Sequence, residues 1–243
     1  MNNLIAYWSI LKKDIKTYYL KGPNVSWGII FPVSWALMQL FSRTDVSMRE
    51  LLPGLITMSV LFGSTSMLAV TITFERSSRS FERLMLAPMG FGVMILAKIT
   101  GAILFGFAIA IVPIIFASFF VSLGGINWGM VLLAVLLIAI TSTMLGLLVS
   151  IPAEQVHDAM SYSNLLRFPM LFLCGLFMPL SSLPVFVRPL SYALPLTYGT
   201  DLLNGAITGK GILSPLLCIP VMLAFAVLLF IICRHSINRK WIL

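Results

Sequence analysis

FERSSRSFERLMLAPMGFGVMILAK, residues 74–98, interrupts an otherwise apolar chain with its densest run of charge. One apolar span ends immediately before it and another begins within it, so the stretch belongs at a membrane surface. Its ionisable residues are Glu75, Arg76, Arg79, Glu82, Arg83 and Lys98. Read as a helix over 74–85, it sets Glu75 four before Arg79 and Arg79 three before Glu82. Opposite charges then meet on a solvated side. Phe74, Phe81, Leu84 and Met85 fall on another side. Pro88, Gly90 and Gly92 break the helix before the next span. A solvated loop that only fixes topology would carry similar charge. A short amphipathic helix between two spans suits contact with a soluble partner.

The chain has 243 residues, 59% hydrophobic and 10% charged, where soluble domains average about 25% charged. Several apolar stretches reach the roughly 20 residues that a helix needs to cross a bilayer. The chain therefore reads as a polytopic membrane protein. The net charge of +8 does not imply nucleic acid, because the basic residues are spread over short segments between spans. Cys174, Cys218 and Cys233 stand in apolar surroundings without metal-ligand spacing and read as small buried hydrophobes. No removable signal peptide is visible behind Lys12, Lys13, Lys16 and Lys21.

Taken in order, the expected fold is one all-α transmembrane domain over residues 1–243. Residues 1–22 form an interfacial amphipathic helix, with Leu4, Trp8, Leu11, Ile15 and Tyr18 as its apolar stripe. Six transmembrane helices are expected at 25–41, 51–74, 91–123, 128–151, 157–178 and 212–233, with the charged coupling region at 74–90. Within the second, Gly63, Ser64, Thr65 and Ser66 suit close helix packing better than cargo contact. Residues 179–211 alternate short apolar pieces with Pro179, Pro184, Pro189 and Pro195. They are expected to form short re-entrant helices before the sixth span, packed on protein.

An even span count puts both termini on one side. That side carries the lysines of the opening helix, the arginines of the charged stretch, Arg234, Arg239 and Lys240. The other carries only Arg43, Arg49, Arg188 and Lys210. The positive-inside rule makes the richer side cytoplasmic, in a plasma (inner) membrane.

No catalytic constellation is visible. His157 and His235 form no metal-ligand pair, so no metal is expected. The stretch GAITGKG, residues 205–211, is one residue short of a phosphate loop and ends in glycine where magnesium needs Ser or Thr. No acid is central in a span, as proton coupling would require. Arg167 is the one basic residue well inside a span, and a structural pair or a water-filled cavity would each account for it. Transport energy would enter through a partner.

The residues that point this way also carry a family resemblance. Glu75-Arg76, then Phe81-Glu82-Arg83-Leu84, Ala87-Pro88 and Lys98 resemble the charged segment of type 2 ABC transporter permeases, which include daunorubicin-type drug exporters and polysaccharide exporters. FMPLSSLPVFVRPLSYALPLTYGTDLLNG, residues 177–205, resembles that family's segment before the last span, most specifically at Pro195-Leu196-Thr197-Tyr198. The order of elements matches along nearly the whole chain. Ser77, Ser78 and Arg79 depart from the pattern, and Ala97 replaces a glycine before Lys98.

The resemblance implies an export permease that is not itself an enzyme. It would pair, most simply as a homodimer, with a second permease subunit and bind two copies of an ATPase subunit that holds ATP and magnesium. Glu75, Arg76, Phe81, Glu82 and Arg83 would form the coupling helix that touches the ATPase, with Glu154, Gln155, His157 and Asp158 as a second contact. Phe62, Thr65, Asn164, Phe168 and Phe172 would line the path, although each taken singly reads better as ordinary packing. The cargo would be amphipathic, drug-like, lipid-like or a polysaccharide. A membrane scaffold that binds a soluble partner without transport is the alternative from another class.

Overall fold

The computed structural model describes residues 3–19, 22–42, 47–81, 90–177, 184–237 and 239. The elements are α1 (Asn3–Asp14), continued by a π-helical segment Ile15–Tyr19, then α2 (Gly22–Ser42), α3 (Met48–Ser77), α4 (Phe91–Ser118) and α5 (Trp128–Ser150). There follow α6 (Val156–Leu173), α7 (Arg188–Tyr192), α8 (Pro195–Thr208) and α9 (Pro215–Ile237). The described residues contain no strand.

α3 is the axis of the fold. It packs against α2, α4, α5, α6 and α8, and 89% of its most apolar window is buried, against 17% for α9. Its small residues set the close approaches. A Cβ on Gly146 of α5 would stand 2.6 Å from the Thr65 carbonyl oxygen, and one on Gly106 of α4 would collide with the Ser64 hydroxyl. The cluster at 63–66 therefore does packing work, as its composition suggested.

Four described helices, α3, α4, α5 and α9, are long and apolar enough to cross a membrane. α6 falls short of that standard, since it includes His157, Asp158, Asn164 and Arg167; within α2 an apolar stretch runs over Ile29–Gln39. α4 ends at Ser118, short of the expected 123, where Phe119 and Phe120 turn. Between 184 and 214 the expected pair of short helices is present as α7 and α8, while 178–183 lie outside the described residues.

The expected helix over 74–85 is broken at 78 and 79, while 82–85 lie outside the described residues. α3 continues through the charged stretch to Ser77, and Ser78 and Arg79 turn the chain, with Arg79 in the left-handed region at φ 56°. The serines give the reason: the Ser77 hydroxyl donates to the Phe74 carbonyl and the Ser78 hydroxyl to that of Glu75. Such bonds compete with continued helix. Glu75 thus belongs to α3, not to a solvated helix shared with Arg79.

Candidate functional site at the charged end of the helices

At the end of α3 that meets α1, four charged side chains form one cluster. Lys98 of α4 lies 2.7 Å from Glu75 Oε2 and 3.1 Å from Asp14 Oδ2. Lys13 pairs with Glu75 Oε1 and stands 3.2 Å from Asp14 Oδ1. Lys98, Glu75 and Asp14 are buried, and only Lys13 reaches solvent. Two cations against two carboxylates leave the cluster neutral, a condition for burying charge at all. Burial alone would lower the Lys13 ammonium. Its hydrogen bond to Glu75 and the nearby carboxylates override that and raise it above its ordinary value.

The cluster joins three elements far apart in sequence. α1 lies against α4 through Ile10 and Tyr19, which belong to the same apolar cluster as Met67, Ile72, Met94 and Ile95. Tyr19 covers Gly101, where a Cβ would come within 2.5 Å of the phenol oxygen. Burial pushes the Tyr19 phenol far up, so it stays protonated. The other side of α1 leaves Leu4, Ile5 and Trp8 exposed. Leu11, read as part of one stripe with Leu4 and Trp8, is buried instead.

The neighbouring residue ties two connections together. Arg76 Nη1 donates to the carbonyl oxygens of Ser150, Ile151 and Ala153 at 3.1, 3.4 and 3.2 Å. These include carbonyls left open where α5 ends, and a cation there also suits the helix dipole. Just beyond, α6 starts from a capping box at Gln155: Asp158 Oδ2 accepts from the Gln155 amide at 3.0 Å, while the Gln155 side chain accepts in return. His157 is exposed beside Asp158, 3.2 Å away, and Glu154 is exposed as well.

The residues expected at a partner contact thus separate by burial. Glu75 and Phe81 are buried and Arg76 is half-buried; Phe81 meets Phe91 edge to face at 6.4 Å. Ser77, Ser78 and Arg79 face outward, with Glu154, Gln155 and His157. Glu82 and Arg83 lie outside the described residues. Of the residues expected on a path, Phe62 and Thr65 are buried in α3, whereas Asn164, Phe168 and Phe172 are exposed along α6. Asp14 and Lys13 were missed as members of the site. Their signal in the sequence is weak, a Lys-Asp pair ending an interfacial helix.

The opposite end of α3 is fastened by a second set of polar contacts. Arg49 Nε donates to the Ile207 carbonyl at 3.0 Å, and Lys210 pairs with Glu50 at 2.7 Å. The buried Asp201 carboxylate accepts from the amides of Ile212 and Leu213 at 2.9 and 2.8 Å, closing the turn into α9. Pro195-Leu196-Thr197-Tyr198 opens α8. There the Thr197 hydroxyl donates to the Ser191 carbonyl and Tyr198 to that of Tyr192, locking α8 onto α7.

Comparison with known proteins places this arrangement. Residues 5–208 match the family model described as ABC-2 type transporter. The chain is 27% identical over 192 residues to the inner membrane transport permease YadH of Escherichia coli K12, covering 79% of this chain and 75% of that protein. Nodulation protein J of Sinorhizobium fredii is 26% identical over 221 residues, with 87% and 82% covered. The protein of the same name from Rhizobium leguminosarum bv. viciae is 31% identical over 121 residues, with 49% and 47% covered.

Proposed function

The chain belongs to the ABC-2 type transporter family, and from that premise we propose that it is the transmembrane half of an ATP-driven exporter. Two copies form a path for an amphipathic, drug-like, lipid-like or polysaccharide cargo, and each binds an ATPase subunit that holds ATP and magnesium. α2 and α6 complete six spans by lining the path, where their polar residues are tolerated. The charged end faces the cytoplasm with both termini, and α7 and α8 form a re-entrant layer at the outer face.

The observation that carries this reading is the Arg76 clamp. It makes the connection after α3 and the connection after α5 one mechanical unit. The ATPase contacts the outward residues of that unit, Arg79, Glu154 and His157. Glu75, Arg76 and Phe81 transmit from behind, tying the contact to α1, α4 and α5. ATP binding shifts the permease only through contacts that differ between its states, and a clamped pair of connections gives both the same push.

The test is affinity purification of the tagged chain in mild detergent, with co-eluting proteins identified and ATP turnover measured. A stoichiometric ATPase is expected. Arg79→Glu is expected to weaken its retention, whereas Phe81→Ala keeps the ATPase bound and lowers coupled transport. No ATPase under several gentle conditions would shift the reading to a membrane scaffold.

A further inference from the structure

Arg167 is 4% exposed in α6, and among the described residues no ion pair or hydrogen bond holds it. Its guanidinium carbon stands 5.0 Å from the centre of the Phe62 ring. Phe62 in turn meets Phe31 at 5.1 Å and Phe168 at 6.2 Å between ring centres. The cation therefore rests on one aromatic face with no counter-charge among the described residues. A cation–π contact offsets only a small part of the penalty for burying an unpaired ion.

Among the described residues no carboxylate supplies the missing charge. Asp14 and Glu75 are held by lysines, Glu50 by Lys210, Asp158 by the start of α6, and Asp201 by the turn into α9. Glu154 is exposed at the charged end. Asp45 and Glu82, outside the described residues, fall in sequence between α2 and α3 and between α3 and α4. Arg167 follows the start of α6 by about 16 Å of helix, roughly half of a bilayer core. A second copy would bring the described carboxylates at the same depths, each already engaged or exposed at the charged end. Resident phospholipids keep their phosphates at the membrane surface, so an anion at this depth is one in transit.

We propose that Arg167 is an anion-binding group within the membrane, which receives the acidic head of an amphipathic cargo. The exposed rings of Phe168 and Phe172 on the same helix hold the cargo's apolar part. The word cargo rests on the transporter reading, but the binding itself requires neither ATPase nor transport.

The test uses the purified full-length chain in uncharged maltoside micelles and follows thermal unfolding. Hexadecyl phosphate is the probe and hexadecyl glucoside its neutral counterpart. Hexadecyl phosphate is expected to raise the midpoint saturably by several degrees, with little response to the glucoside. Arg167→Gln loses that response, and Arg167→Lys keeps part of it. Asn164→Asp places a carboxylate three residues before Arg167 on the same helix side. It keeps the fold and abolishes the response, which preserves the test if Arg167→Gln does not fold. Equal responses of wild type and Asn164→Asp, or to phosphate and glucoside, overturn the proposal. So does dioleoyl phosphatidylglycerol if it blocks the probe, since the site would then belong to bilayer lipid. Any of these results leaves the ATPase co-purification free to stand or fall separately.

Discussion

Lys98 shows how one residue can serve three elements. Its ammonium is buried against Glu75 and Asp14, and removing it leaves two carboxylates to Lys13 alone. Lys98→Met is expected to destabilise the chain by about 3–5 kcal/mol, the usual cost of orphaning a buried charge. Adding Glu75→Gln removes one orphan and should recover part of the loss. Thermal unfolding in detergent checks both, and an additive double variant would show that the pair is not coupled. The same cluster sets an alkaline limit. Lys13 is raised in the folded chain by Glu75 and Asp14 against the pull of burial, and Tyr19 is raised by burial. A group raised on folding stabilises fully below its unfolded value and loses that contribution as pH climbs toward the folded one. Stability is expected to hold up to about pH 10 and fall above it, the unfolded tyrosine and lysine values being near 10 and 10.4. Lys13→Met should flatten part of that fall in a pH series of unfolding midpoints.

At the scale of elements, α8 illustrates both what the sequence reveals and where it stops. Proline spacing and short apolar pieces are local signals, and they foretold short helices within 179–211, where Arg188–Tyr192 and Pro195–Thr208 are found. The function of Asp201 was not legible, because its partners, the amides of Ile212 and Leu213, are defined only once the chain folds back. Asp201→Ala leaves those amides unpaired and is expected to cost about 1–3 kcal/mol. Asp201→Asn, which keeps an acceptor oxygen, should cost less, and equal losses would mean that charge, not bonding, closes the turn. The charged stretch failed for the same reason in reverse. Glu75 and Arg79 sit four apart and so read as a helical pair, yet the partners of Glu75 are Lys13 and Lys98. A pattern within one turn cannot announce a lysine brought in from another helix. Apolar length was the dependable signal, giving α3, α4, α5 and α9 outright. It was least informative for α6, where His157, Asp158, Asn164 and Arg167 dilute the span.

That dilution predicts how whole molecules associate. The outward side of α9 presents Leu216, Leu223, Val227, Leu228 and Ile231, which hydrocarbon satisfies. α6 also turns large apolar residues outward, Leu165 foremost at 72% exposure, but sets them beside exposed Ser161 and Asn164. Lipid tails cannot satisfy those polar groups, whereas a second protein surface or a wet path can. The α6 side is therefore expected to face the partner subunit and α9 the lipid. The three native cysteines are buried and can be replaced by alanine to give a silent background. In that background, Leu165→Cys in native membranes should yield a cross-linked dimer with a short bifunctional maleimide. Leu228→Cys, 51% exposed on α9, should not. A dimer formed through position 228 and not 165 would reverse the assignment. It would also place the aromatic face around Arg167 against lipid, where an unpaired guanidinium has no physical justification.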